Sequence, residues 1–395
     1  MALSIGARIK PLYVGALAGL CKVNVSGANV KKIQVALITC KTARVNRPPR
    51  PPPFPYKEKK FNRYYQVSDK TLARFDDNSK IVVVEGSIAA GKDKLARYLA
   101  EQLEMHYFPP PRWANILINE QGFDRRSLDH LFTNTPVLQT CDEERFCRDP
   151  HHVNSNLYQH MYYVMRFSQY IDALTHLFST GQGVVLQRTP WSDYVFMEAM
   201  HKAGYVSNGS LLYYNEVVDN SLFHLMLPHL IIYLDVPAET IKKNIMKRGI
   251  PYEVEGKALT MEFLTNIEEK YKHEYLPKMA KSSNVLLYDW SNEGDLEVVI
   301  EDIERLSFEV TDRKDTRFKD WDLNHPHEWR ELRILYSQAK YFLMQTCLSF
   351  RFDVPEMLLE GTLQEKYHVA TNQISKLKYT KGYNPELGDN VLFKL

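Results

Sequence analysis

Residues 81 to 97 read Ile-Val-Val-Val-Glu-Gly-Ser-Ile-Ala-Ala-Gly-Lys-Asp-Lys-Leu-Ala-Arg. Four consecutive β-branched residues, Ile81 to Val84, predict a strand buried on both faces, as in a parallel sheet. A small-residue turn follows, Gly86-Ser87-Ile88-Ala89-Ala90-Gly91, and then a helix whose apolar face is Leu95, Leu99 and Leu103. Gly86 and Gly91 stand five apart with Lys92 next, the spacing of a phosphate-cradling loop. Glycines let backbone N–H groups turn inward, the helix N-terminus adds a positive dipole end, and Lys92 supplies a point charge. The last position departs from the pattern. A phosphate-transferring loop places Ser or Thr after the lysine, because that hydroxyl holds Mg²⁺. Here it is Asp93, whose carboxylate can touch a metal but adds negative charge beside phosphates, so the sequence leaves Mg²⁺ open.

Outward from this stretch, apolar runs recur at 183–187, 230–236 and 284–289, with a weaker one at 104–108, and helical patterns lie between them. Residues 154–178 and 210–226 read as long helices. Strands alternating with helices predict an α/β domain: a parallel five-stranded sheet flanked by helices. After residue 308 the pattern turns polar, with Trp321, His325, His327 and Trp329, before a helix from about Glu328 to Thr346 and a loop-rich tail. This is a C-terminal extension that covers the core or meets a partner. His325-x-His327 lacks a cysteine or carboxylate partner nearby and makes a poor metal site.

The chain of 395 residues is long enough for one large domain with appendages, and its net charge of +2 gives no reason to expect nucleic acid. The charge is uneven. Residues 1 to 57 contain no Asp or Glu, and basic residues run through them from Arg8 to Lys57. A basic, Ala/Ser/Val-rich, acid-free leader describes a mitochondrial transit peptide, expected over 1–45; a basic arm for nucleic acid or lipid is the other reading. Residues 46–78 begin with a proline-rich extended strap, which links leader to domain or lies across a neighbouring surface. The main domain is expected over 79–308 and the extension over 309–395. No run reaches the roughly 18 apolar residues of a membrane span. Cys141, Cys147 and Cys347 have no metal spacing and read as reduced thiols.

The strand–loop–helix, Arg188 after the 183–187 strand, and Arg248 in Lys-Arg-Gly-Ile-Pro-Tyr-Glu together resemble the mitochondrial-type deoxyribonucleoside kinases over about residues 80 to 308. The leader, the Asp93 loop and the tail Lys-Tyr-Thr-Lys-Gly-Tyr-Asn-Pro-Glu-Leu-Gly-Asp resemble more closely the kinase-like accessory subunits of mitochondrial NADH:ubiquinone oxidoreductase (complex I). The resemblance implies a P-loop kinase-like fold and a set of site positions. Gln159, Arg166 and Asp193 match the residues that read the base, Arg188 the arginine of an acid–arginine pair, Arg248 a lid arginine, and Glu253 the sugar-hydroxyl carboxylate. A polar trio of this kind is also what a satisfied buried network looks like. The reaction positions are replaced: Phe108 stands at the general base, Gln187 at the metal-holding acid, Asp93 at the metal hydroxyl, and Asn244 and Ile250 at two lid arginines.

The resemblance therefore implies a non-catalytic accessory subunit of the respiratory chain, peripheral on the matrix side of the inner membrane and set against the membrane arm of complex I. Its loop and base readers leave room for a purine (deoxy)nucleotide as a structural ligand. FAD is a family association with no dinucleotide fingerprint here. The alternatives are an active ATP-dependent deoxyribonucleoside kinase and a free nucleotide sensor in the matrix.

Overall fold

The computed structural model describes residues 37 to 387, apart from 46, 48–49, 67, 310–315, 324, 350 and 385. Five strands form one all-parallel sheet: β1 (Ile81–Gly86), β2 (His106–Phe108), β3 (Val184–Gln187), β4 (Leu230–Asp235) and β5 (Asn284–Asp289), in the order β2-β3-β1-β4-β5. The weaker run at 104–108 yields only three residues of strand, at the sheet edge. β1 sits in the middle. Ile81 to Val84 are fully buried, as their branching predicts, each such side chain contributing about 1.5–3 kcal/mol. Val84 stands opposite Gln187 on one side, and Gly86 opposite Leu234 on the other. The chain runs from β1 outward to β2, back to β3, and then across to β4. The carboxyl end of β1 is thus a topological switch point, where ligands of open α/β sheets bind.

Helices cover the sheet. The loop helix Lys92–Gln102 buries Leu95, Ala96 and Leu99 as its leucine spacing demands. The long helix Ser155–Thr180 is buried along most of its length and ends on Gly181 in the left-handed conformation. The expected helix at 210–226 is Asn208–Ser221 followed by a tighter turn, Leu222–His224. The single helix expected at 328–346 is instead two, Pro326–Gln338 and Lys340–Gln345. The break at Ala339 accompanies two tertiary contacts: Lys340 reaches Asp172 at 2.6 Å, and Leu343 is buried.

Segments on both flanks of the sheet domain pack on the long helix. Trp321, Trp329 and Tyr336 of the extension surround Phe178 with ring centroids 5.4–6.0 Å apart. The strap lies on its own domain. Phe54 N–H donates to Ser179 O at 3.2 Å, and Arg333 spans the Phe54 and Phe61 rings while pairing with Asp69. Farther on, Leu363, Tyr367, Ala370, Ile374 and Leu377 cover Leu128, Phe132 and Leu138. The expected leader falls outside the described residues except for 37 to 45, and there the 1–45 boundary meets a folded segment. Ile38 is fully buried in the core, and Arg44, Arg47 and Arg50 converge on Asp76. Cys40, Cys141, Cys147 and Cys347 are unpaired, and burial pushes the last three thiols up to about 12. Among the described residues no helix is long and apolar enough to cross a membrane.

Candidate nucleotide site

The loop between β1 and its helix has the backbone its sequence requires. Gly86 takes φ +145°, and a Cβ there would lie 3.0 Å from Leu234 O; Gly91 takes φ +84° and caps the helix. Ala89 is held at φ +54° without being glycine. Lys92 folds back over the loop, donating to Gly86 O at 3.1 Å and to Ser87 O. Burial, and then the neighbouring Arg188, push its ammonium down to about 7 against the opposing pull of Glu85. Ser87 Oγ is buried with no hydrogen-bond partner.

Arg188, directly after β3, adopts φ +60°, a left-handed backbone that costs a non-glycine residue about 1–3 kcal/mol and clusters at functional sites. Its amide donates to Val84 O at 3.1 Å, and its guanidinium lies 3.4 Å over the Phe196 ring. Nη2 approaches Asp193 Oδ1 at 3.6 Å, too far for a hydrogen bond, so Nε and Nη2 remain without an acceptor.

Gln159 and Arg166, two turns apart on the long helix, do share a face, and both meet Asp193. Gln159 Nε2 donates to Asp193 Oδ2 at 2.7 Å, and Tyr214 OH donates to the same oxygen at 3.2 Å. Arg166 Nε lies 3.3 Å from Oδ1 without hydrogen-bond alignment, which leaves its Nε and Nη1 unpaired as well. Burial and then Arg188 lower the Arg166 pKa, and Asp193 opposes them. Beside this group, Arg166 lies 5.0 Å over the Tyr162 ring, and Trp113, Tyr158 and Phe146 stack in sequence.

Several contributors are not among the predicted positions. Glu85, fully buried at the end of β1, accepts from Thr189 Oγ1 at 3.2 Å and from the Tyr271 and Tyr275 hydroxyls at 3.1 Å. A π-helical turn over Tyr271–Tyr275 brings both hydroxyls to it. Burial raises the Glu85 pKa, and Arg188 opposes the rise. The carboxylate of Glu143 holds the Trp113 amide at 3.2 Å and the Tyr162 hydroxyl at 2.5 Å.

The Deoxynucleoside kinase family profile matches residues 82–319. Mitochondrial NADH dehydrogenase (ubiquinone) 1 alpha subcomplex subunit 10 of Mus musculus is 35% identical over 82% of this chain and 86% of its own length. The same subunit of Bos taurus is 32% identical over 82% and 90%. The deoxyguanosine kinase of Dictyostelium discoideum is 26% identical over 61% and 74%. Among solved structures, deoxyadenosine kinase from M. mycoides with bound dATP aligns at a TM-score of 0.42 and 19% identity, over 56% of this chain and 96% of that one. The chain belongs to the deoxynucleoside kinase family, on the branch of these mitochondrial subunits.

In this deoxynucleoside kinase fold, the positions to which the resemblance assigns phosphate transfer are tied into internal contacts. Phe108 packs against His106 and His176, with ring centroids at 4.8 and 6.1 Å. Its strand neighbour Tyr107, on the opposite face, is the residue that reaches the loop. Asp93 accepts from Tyr107 OH at 2.8 Å, Gln187 Nε2 at 2.9 Å and Arg97 Nε at 2.8 Å. Arg97 foremost, with Tyr107 and Gln187, holds its carboxyl below the usual range. At the positions read as the lid, Asn244 donates to Ala89 O at 3.2 Å, and Arg248 pairs with Glu253. No three His, Cys, Asp or Glu side chains among the described residues come together as a metal-holding group, His325 and His327 included.

Proposed function

We propose that this chain is a non-catalytic accessory subunit of mitochondrial complex I, peripheral on the matrix side of the inner membrane against the membrane arm. Its kinase fold keeps a purine (deoxy)nucleotide as a structural ligand, and its basic leader is a transit peptide. The named mitochondrial relatives support the assembly. One observation carries the ligand: buried N–H groups of Arg166 and Arg188, and the Ser87 hydroxyl, lack acceptors close to Lys92, on which Arg248 also acts. Unpaired buried donors are costly, and a phosphate with its many acceptor oxygens would satisfy them.

In this reading Gly86, Ser87, Ala89, Ala90 and Gly91 present the loop backbone to phosphate, while Lys92 and Arg188 supply charge. Gln159, Arg166 and Asp193 face the base, and Glu253, held by Arg248, faces the sugar. The metal hydroxyl, the base, the metal-holding acid and two of three lid arginines are replaced, and Phe108 in particular cannot accept the 5′-hydroxyl proton, a loss of about 10²–10⁴-fold in rate. Binding without turnover stabilises the folded chain by mass action, about 2.7 kcal/mol at a ligand level a hundred-fold above Kd.

Native electrophoresis of mitochondrial membranes, paired with a labelled-ATP assay of the purified chain on each deoxynucleoside, tests this. The expected result is co-migration with complex I and no labelled product. Turnover of about one per second, an ordinary kinase rate, would establish the active-kinase alternative. Migration of all the protein alone would point to a free sensor.

A further inference from the structure

We propose that the site takes its nucleotide as the free anion, without Mg²⁺, because Asp93 and Gln187 have exchanged the carboxylate between them. This rests on the nucleotide reading above and concerns the form of that ligand. The family pattern places a hydroxyl at 93 and a carboxylate at 187; here the carboxylate is at 93 and an amide is at 187. The number of carboxylates is unchanged, and their place is not.

The moved carboxylate is occupied. Its Oδ1 accepts from Tyr107 OH at 2.8 Å and Gln187 Nε2 at 2.9 Å, and its Oδ2 accepts from Arg97 Nε at 2.8 Å. Gln187 Nε2 also lies 2.5 Å from Tyr107 OH, which closes a triangle. An ionised carboxylate only accepts, so it fixes the Gln187 amide with its NH₂ toward Asp93. Mg²⁺ requires a near-octahedral set of oxygens at about 2.0–2.1 Å. Meeting that demand through Oδ1, the oxygen beside Gln187, would mean stripping its two donors and turning the amide over. The first turn of the loop helix and Arg97, four residues on, stabilise the negative charge where it stands.

The cationic side of the pocket is sufficient without a metal. Lys92, Arg188, Arg166 and Arg248 act on one another there; Glu85 and Asp193 are set among them, and Glu253 pairs with Arg248. A metal-free phosphate would meet the unpaired N–H groups of Arg166 and Arg188 directly, whereas a metal–nucleotide complex brings its own neutralising charge and finds the Asp93 and Gln187 side chains already engaged.

The test is equilibrium binding of N-methylanthraniloyl dATP and dGTP, and of the matching monophosphates, to the purified full chain in EDTA and in excess Mg²⁺. Monophosphate binding should agree between the two buffers within about two-fold, ~0.4 kcal/mol. Triphosphate binding should weaken in Mg²⁺, because complexation depletes the free anion. Tightening by Mg²⁺ of about ten-fold or more, ~1.4 kcal/mol, overturns this inference and leaves the nucleotide reading standing. Failure to bind in either buffer overturns both. The double variant Asp93→Ser/Gln187→Glu, checked for folding by its thermal midpoint, should acquire Mg²⁺-dependent tightening of triphosphate. A folded double variant indifferent to Mg²⁺ would overturn the exchange.

Discussion

The residues proposed to face the base and those at the positions proposed for phosphate transfer differ in what surrounds them. In the first group Gln159, Arg166 and Asp193 remain, and Asp193 is wholly buried within their network. In the second Asp93 and Arg248 stand more open, Gln187 is buried, and each engages a neighbour. Recognition uses groups that also hold the fold together, so losing one costs stability as well as binding. Transfer chemistry uses groups placed for a transition state, and removing those leaves the fold intact.

This contrast predicts a graded series. The largest effect belongs to Asp193→Ala. It leaves Arg166 charged and buried without its partner, a loss of about 3–5 kcal/mol readable by urea unfolding. A change under about 1 kcal/mol would mean that the network is not structural. Arg333→Ala comes next. It removes a buried guanidinium from two rings and from Asp69, costing about 2–3 kcal/mol and freeing the strap to limited proteolysis.

Lys92 follows, and here the sign depends on pH. Its pKa is lowered on folding to about 7, so above that pH the unfolded chain holds more protons and stability rises with pH; below it the lysine contributes no slope. Phosphate favours the charged lysine, so nucleotide affinity should fall as pH rises through about 7 in the wild type. In Lys92→Met it should be flat and about ten-fold weaker, ~1.4 kcal/mol, by titration with dATP. The smallest effect is that of Arg97→Ala, an exposed partner of Asp93, which should leave the thermal midpoint unmoved.

Much of the fold is legible in the sequence because β-branched runs such as Ile81–Val84 admit little but a buried strand. The helical break at Ala339 is not, because it accompanies contacts of Lys340 with Asp172 and of Leu343 with the core, and no local signal encodes them. At the site, the two-turn spacing of Gln159 and Arg166 correctly puts them on one face. That they close on Asp193 also fits the buried-network alternative that the same residues allow. Tyr107 escapes notice because β2 is three residues long, too short for a convincing alternation, although its opposite parity to Phe108 is the clue. Glu85 carries a plainer one: it is an acid inside an otherwise apolar strand. Its tyrosine partners lie far along the chain in a π-helical turn that no periodicity reveals. Ile38 and Arg44 sit within a basic, acid-free run, and composition cannot separate a discarded leader from an arm that packs.

The covering of Phe178 sets an order of events. Its neighbours Phe75, Trp321, Trp329 and Tyr336 come from both ends of the domain. A polypeptide emerging from a ribosome or an import channel amino end first releases the long helix well before Trp321. Until the later segment arrives, that apolar flank stays bare and prone to aggregate, and contacts so distant in sequence form slowly. A truncated product ending before residue 318 should therefore depend on a chaperone even though every strand of its sheet is present.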